Sequence, residues 1–240
     1  MYYGARGIVG LVKPTYRPGS MESFIKLMPE GVGFIPLHVG VRAGTEQEFQ
    51  EALAIAERKV AKLAELGADI VVIMGAPPTM VRGYGFDTDL VAQLQEKHRV
   101  PVLTATIAQV EAFRVLGIKR LVGITYFKDD LNRRFAKFFV DGGFEVAAMR
   151  GLDVPFKDAG KIPSEEIYAF AKKVFVDAGG ADGIYLLGAG WHNLPVIEPL
   201  ERDLQTTVVS SIPAQVWATQ KRLHLCAPVK GYGRLLEEMP

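Results

Sequence analysis

Ile8-Val9-Gly10-Leu11-Val12 and Leu121-Val122-Gly123-Ile124-Thr125 repeat one pattern, apolar residues around a central glycine, 113 residues apart. The same spacing relates Gly67-Ala68-Asp69 to Gly180-Ala181-Asp182, and Gly75-Ala76 to Gly188-Ala189. A spacing of 106 then relates Thr104 to Ser210 and Ala108-Gln109-Val110 to Ala214-Gln215-Val216. The difference falls where the first half carries an extra loop, Arg82-Gly83-Tyr84-Gly85-Phe86. A spacing held over several elements marks a duplicated unit. The chain therefore reads as two similar lobes related by an approximate two-fold axis, with a ligand cleft between them outside the carboxyl ends of the strands.

Working outward, short apolar runs recur at 8–12, 33–39, 70–74, 100–103, 120–125, 144–147, 183–187 and 207–210. Helical patterns separate most of them, at 46–66, 90–98, 107–116, 130–141, 164–177, 195–203 and 213–223. Continuous apolar strands alternating with helices predict an α/β protein with mostly parallel four-stranded sheets covered on both faces. Pro195 and Pro213 sit where helices are expected to begin, as their fixed φ permits. The expected division is residues 1–116 plus 224–240 in the first lobe and 117–223 in the second.

Composition narrows the function. Hydrophobic residues make up 49% and charged residues 23% of 240, an ordinary globular balance. Twenty-eight Lys+Arg against 27 Asp+Glu leave a net charge of +1, so no electrostatic footprint for nucleic acid is visible. The apolar run near the start, Gly7 to Val12, is too short for a signal segment or a membrane span. Cys226 is the single cysteine and His38, His98, His192 and His224 form no HxxxH or HxH pair, so neither an internal disulfide nor a transition-metal site is expected. A cytoplasmic protein handling a small molecule remains, with homo-oligomerisation left open. Each half also runs a strand into a small-residue turn, Met74-Gly75-Ala76-Pro77-Pro78 and Leu187-Gly188-Ala189-Gly190-Trp191. Backbone N–H groups at two facing turns of this kind suit one or two carboxylates.

The spans GADIVVIMG, ADGIYLLGAG, VVSSIPAQVWATQKRL and GYGRLLEE resemble the aspartate/glutamate racemase superfamily, most of all its branch of arylmalonate decarboxylase and maleate cis–trans isomerase. The resemblance implies two flavodoxin-like lobes with pseudo-two-fold symmetry, and chemistry that needs no metal or organic cofactor. Racemases and isomerases of the family place a cysteine at each turn, and arylmalonate decarboxylase keeps only the second. Those positions correspond to Gly75 and Gly188 here. Two-thiol racemisation and covalent isomerisation through a cysteine are therefore excluded. Decarboxylation of a malonate-type acid stays open, because its proton donor need not be a cysteine. An isomerase or hydrolase using His192 or water, and a non-catalytic carboxylate binder, are the other two readings.

His192, just beyond Gly188, is the first choice of acid or base; its other reading is a cap on the following helix. Tyr126 is the second catalytic candidate, one place before Phe127, which corresponds to the family's carboxylate-binding tyrosine. Gly75, Ala76, Gly188 and Ala189 are expected at the turns. Thr125, Phe127 and Asn132 are expected after the fifth strand, Asn132 reading equally as a helix-surface residue. Lys13 or Tyr16, after the first strand, and Arg42, after the second, are carboxylate-binding candidates, with solvent exposure as the alternative. Ser210 is expected to offer a hydroxyl, and Ser211 to cap a helix. Val41, Phe49, Met80, Pro155 and Trp191 are candidates for apolar lining.

Overall fold

The computed structural model describes residues 2–240. The first half runs β1 (Ile8–Lys13), α1 (Ser20–Leu27), β2 (Gly33–His38), α2 (Glu46–Glu65), β3 (Ile70–Ile73), α3 (Pro77–Met80), α4 (Phe86–His98), β4 (Val102–Thr104) and α5 (Ala105–Val115). The second runs β5 (Arg120–Thr125), α6 (Asp129–Asp141), β6 (Glu145–Gly151), α7 (Ser164–Asp177), β7 (Gly183–Leu186), α8 (Ile197–Leu204), β8 (Thr207–Ser210), α9 (Ser211–Arg222) and α10 (Arg234–Glu238), with 3-10 turns at Phe156–Lys161 and Leu194–Val196. The strands form two four-stranded sheets, ordered β2-β1-β3-β4 and β6-β5-β7-β8. All six strand pairings are parallel. The repeat seen in the sequence is thus a repeat of topology.

The sequence explains this layering. Every residue of β3, β7 and β8 is buried, as an apolar strand needs when helices cover both faces. In α2, Phe49, Ala52, Ala56, Val60 and Leu63 are buried on one stripe, and the Thr45 side chain caps its first turn through the Glu48 N–H. Helix α4 begins at Phe86 rather than near residue 90, so the extra residues of the first half lengthen a helix: α4 has 13 residues and α8 has 8. Pro195 lies in the 3-10 turn before α8, and α9 starts two residues before Pro213. Both prolines remain within the first turns, where no N–H is required. Helices α3 and α10, of four and five residues, carry too few turns to show a helical period, and α1 is not among the expected helices.

Helices α5 and α9 pack on one another where the two sheets meet. Phe113 of α5, fully buried, stacks edge-on with Phe139, Phe144 and Tyr185, at centroid distances of 5.5, 5.7 and 5.3 Å. Phe113 thus brings α5 into contact with aromatic residues of the second half. Helix α10 packs on α9 and β8, its Arg234 N–H donates to Glu201 at 3.1 Å, and Lys26 of α1 reaches Tyr232 at 5.7 Å. Among the described residues, no helix is long and apolar enough to cross a membrane.

Candidate functional site

Four loops leave the carboxyl ends of β1, β3, β5 and β7 and meet between the lobes. They enclose a cleft of ≈ 40 Å³. Gly75, Pro77 and Pro78 form one wall and Gly188, Ala189 and Gly190 the opposite one. Phe49, Tyr126, Phe127 and Phe156 form an aromatic side, and Thr15 and Arg17 come from the loop after β1. Residues of both turns marked by the repeat line this cleft.

Glycine is required at both turns. Gly75 and Gly188 hold φ of +88° and +102°, a region L side chains rarely adopt. A Cβ on Gly75 would stand 2.9 Å from Pro14. A Cβ on Gly188 would stand 2.6 Å from Cε1 of Tyr126 and 3.0 Å from its hydroxyl. The Tyr126 ring thus fills the ground that a side chain at 188 would enter. Tyr126 is almost fully buried and packs on Phe127 and Trp191, at 4.4 and 5.4 Å between centroids. Burial raises its pKa above the usual phenol value, only partly offset by the neighbouring Arg17 guanidinium and the Gly190 backbone.

Arg17 dominates the electrostatics of the cleft. Its guanidinium carbon lies 4.1 Å from the centre of the Phe156 ring, and Nη1 donates to the Phe156 carbonyl. Nη2 and the Tyr126 hydroxyl both lie 2.8 Å from the point where a side chain on Gly190 would begin. Nε is buried without a hydrogen-bond partner. The loop that carries Arg17 is held from beneath by Lys13, which is buried and donates to the Arg17 carbonyl. Burial lowers the Lys13 pKa, Glu22 partly restores it and the Arg17 charge lowers it again.

The other candidates divide between support and surface. Gly75, Gly188, Ala189, Tyr126 and Phe127 line the cleft, as does Phe49 among the apolar candidates. Ala76 lies behind its turn, its carbonyl accepting from Thr79 and Thr106 at 3.1 and 3.4 Å. Thr125 and Asn132 are buried partners: Thr125 Oγ1 donates to Asn132 Oδ1 at 2.7 Å and Asn132 Nδ2 to the Phe127 carbonyl at 3.0 Å. They shape the turn that presents Tyr126 and Phe127, and neither reaches the cleft. Ser210 likewise turns inward, to Asn193 at 3.1 Å. Tyr16 is 69% exposed and stacks on His38. Arg42 is exposed, with its backbone N–H on Glu48 at 3.3 Å.

His192 is exposed and does not line the cleft. Its carbonyl accepts from Ser164 at 2.9 Å, while the next residue, Asn193, turns inward with Nδ2 3.4 Å from the Gly188 carbonyl. Adjacent residues of this tight turn face opposite ways, and the inward place belongs to Asn193. Ser211 is no helix cap. Its hydroxyl accepts from the Gly188 N–H at 3.1 Å and from Gln109 Nε2 at 3.0 Å. One amide of the second turn is therefore spent on the protein itself instead of facing a ligand. Arg17, one residue beyond the Lys13–Tyr16 stretch, has a signal in its place after β1. Phe156 has none, because only the tertiary fold carries it to the cleft.

The family model described as arylmalonate decarboxylase matches residues 9–236. The chain belongs to the arylmalonate decarboxylase family. Arylmalonate decarboxylase of Bordetella bronchiseptica is 28% identical over 232 residues, covering 96% of each chain. A maleate isomerase of Geobacillus stearothermophilus is 22% identical, over 95% of this chain and 96% of its own. A crystal structure of arylmalonate decarboxylase superposes with a TM-score of 0.83 at 25% identity, covering 96% of this chain and 99% of that one. The maleate isomerase Iso from Pseudomonas putida S16 shares the fold with a TM-score of 0.91 at 20% identity, covering 98% and 99%. These family relatives are enzymes, of decarboxylase and isomerase type.

Proposed function

We propose that this family member is a cofactor-independent lyase that removes CO₂ from a small malonate-type carboxylic acid, with Tyr126 as proton donor. The observation that carries this reading is the Tyr126 hydroxyl, 3.0 Å from the point where a Gly188 side chain would begin. Arylmalonate decarboxylase resembles this chain in the turn but holds its cysteine there; here a phenol occupies that ground. Gly188 itself offers no acid.

The chemistry follows from the walls of the cleft. The bond from the α-carbon to the departing carboxylate breaks, and its electron pair passes into the remaining carboxyl group as an enediolate while CO₂ leaves. Apolar Phe49, Phe127 and Phe156 desolvate the departing carboxylate, and donors beside it stabilise the charge that develops. The Tyr126 O–H gives its proton to the α-carbon, and water returns a proton to the phenolate. Burial keeps the phenol protonated, the state a donor needs. A cleft of ≈ 40 Å³, against roughly 150 Å³ for a cavity that holds benzene, favours a small alkyl substituent while Arg17 and Phe156 stay as they are.

Proton NMR in deuterated water tests this with methylmalonate, phenylmalonate and maleate. Wild-type protein is expected to release CO₂ from a malonate and leave one deuterium on the α-carbon, and Tyr126→Phe to remain folded and inert. Interconversion of maleate and fumarate would replace the reading with an isomerase. Unchanged spectra with ligand-dependent melting would replace it with a binding protein, and a fully active Tyr126→Phe would remove Tyr126 as the donor.

A further inference from the structure

We infer that Arg17 anchors the carboxylate the substrate retains, holding it side-on through Nε and Nη2 next to the Tyr126 hydroxyl. This rests on the lyase reading for its chemistry and on the cleft alone for its binding. Three observations lead to it. Among the described residues lining the cleft, Arg17 is the one cationic side chain. Its Nη1 is committed to the Phe156 carbonyl and its Nε is buried without a partner, so one edge of the fork is occupied and the other is unsatisfied. Nη2, on that open edge, approaches the same point beside Gly190 as the Tyr126 hydroxyl.

Among the described residues, Arg17 is the cleft's one charged donor, beside the neutral hydroxyls of Thr15 and Ser20. At the first turn Ala76 has no hydroxyl and Pro77 and Pro78 have no N–H. At the second, the Gly188 N–H is on Ser211. A planar guanidinium matches a carboxylate with two parallel hydrogen bonds. Held there, the carboxylate sets its α-carbon one bond away from a group beside the proton donor. Lys13 is the positioning residue of this device, since its ammonium grips the Arg17 carbonyl and fixes the loop. The ligand class is a monocarboxylate product, or the dicarboxylate that yields it, recognised by charge and not by shape alone.

Binding measured by NMR titration separates charge from size without any turnover. The probes are propionate against propionamide and phenylacetate against phenylacetamide, with wild type, Arg17→Met and Arg17→Lys. Wild type is expected to prefer at least one acid over its amide by about 10–100-fold. Arg17→Met should lose that preference while keeping its affinity for the amide, and Arg17→Lys should keep part of it. An acid preference that survives in Arg17→Met, or tighter acid binding once the side chain is shortened, overturns the assignment and makes Arg17 a plug. So does wild type that binds neither acid. Failure of decarboxylation with the acid preference intact would overturn the lyase reading and leave Arg17 as the anchor.

Discussion

The side chains of Tyr126 and of any residue larger than glycine at position 188 exclude each other: Tyr126 Cε1 lies 2.6 Å from the Cβ position of Gly188. Gly188 also holds φ +102°. Gly188→Cys, which places a cysteine at that turn, is therefore expected to destabilise the fold by about 2–5 kcal/mol, from backbone strain and overpacking together. Pairing it with Tyr126→Ala should recover the packing share. Denaturant melts of the two variants check this, and equal losses in both would show that the ring is not the obstacle.

Burial raises the pKa of Tyr126, so the proton is held more tightly in the folded state than in the unfolded chain. The stability that depends on it is complete below the unfolded phenol value of about 10 and is lost as pH climbs through the raised folded value. Turnover is expected to show no loss attributable to Tyr126 up to about pH 10. A rate profile that falls with a phenol-like ionisation well below this would contradict the buried, neutral donor.

Asp87 is buried, and desolvation raises its pKa despite the Thr104 hydroxyl bond and the backbone amides at Asp87 and Thr88. Its contribution is complete below the unfolded aspartate value of about 4 and is lost as pH rises through the folded value. Relative to Asp87→Asn, the wild type should lose stability between pH 4 and neutrality. Chemical denaturation at the two pH values measures the difference, which would stay constant if Asp87 ionised as freely folded as unfolded.

Phe113 couples the halves, since it leaves the first sheet's chain to pack among Phe139, Phe144 and Tyr185. Phe113→Ala is expected to cost about 3–5 kcal/mol and to shift the unfolding of both lobes together. Two separate transitions in calorimetry, with the second-lobe transition unmoved, would show that the cluster is not shared.

Much of the fold is legible in the order of the residues. The strands β1, β5, β3 and β7 read directly from apolar runs, and Thr45 is legible as a cap because a cap is a local bond to the N–H three residues on. The site is legible in part. Gly75, Gly188, Tyr126 and Phe127 stand at strand ends, where the periodic pattern stops and the chain must turn into the cleft. His192 fails as a candidate because one residue of turn geometry decides which neighbour points inward, and Asn193 takes that place. Lys13 is also misplaced as a carboxylate binder: it ends a strand and is buried, and Arg17, which the sequence reading does not single out, is the cation that lines the cleft.

Duplication, parallel sheets and the absence of thiols at the two turns are properties of the residue order, because they depend on spacing and side-chain type alone. The pairing of Arg17 with Tyr126 and Phe156, the diversion of the Gly188 amide to Ser211, and the exchange of Phe113 into the second core belong to the tertiary structure. Each joins groups far apart in the chain, by a hydrogen-bond direction or a contact of a few ångströms that no periodicity encodes.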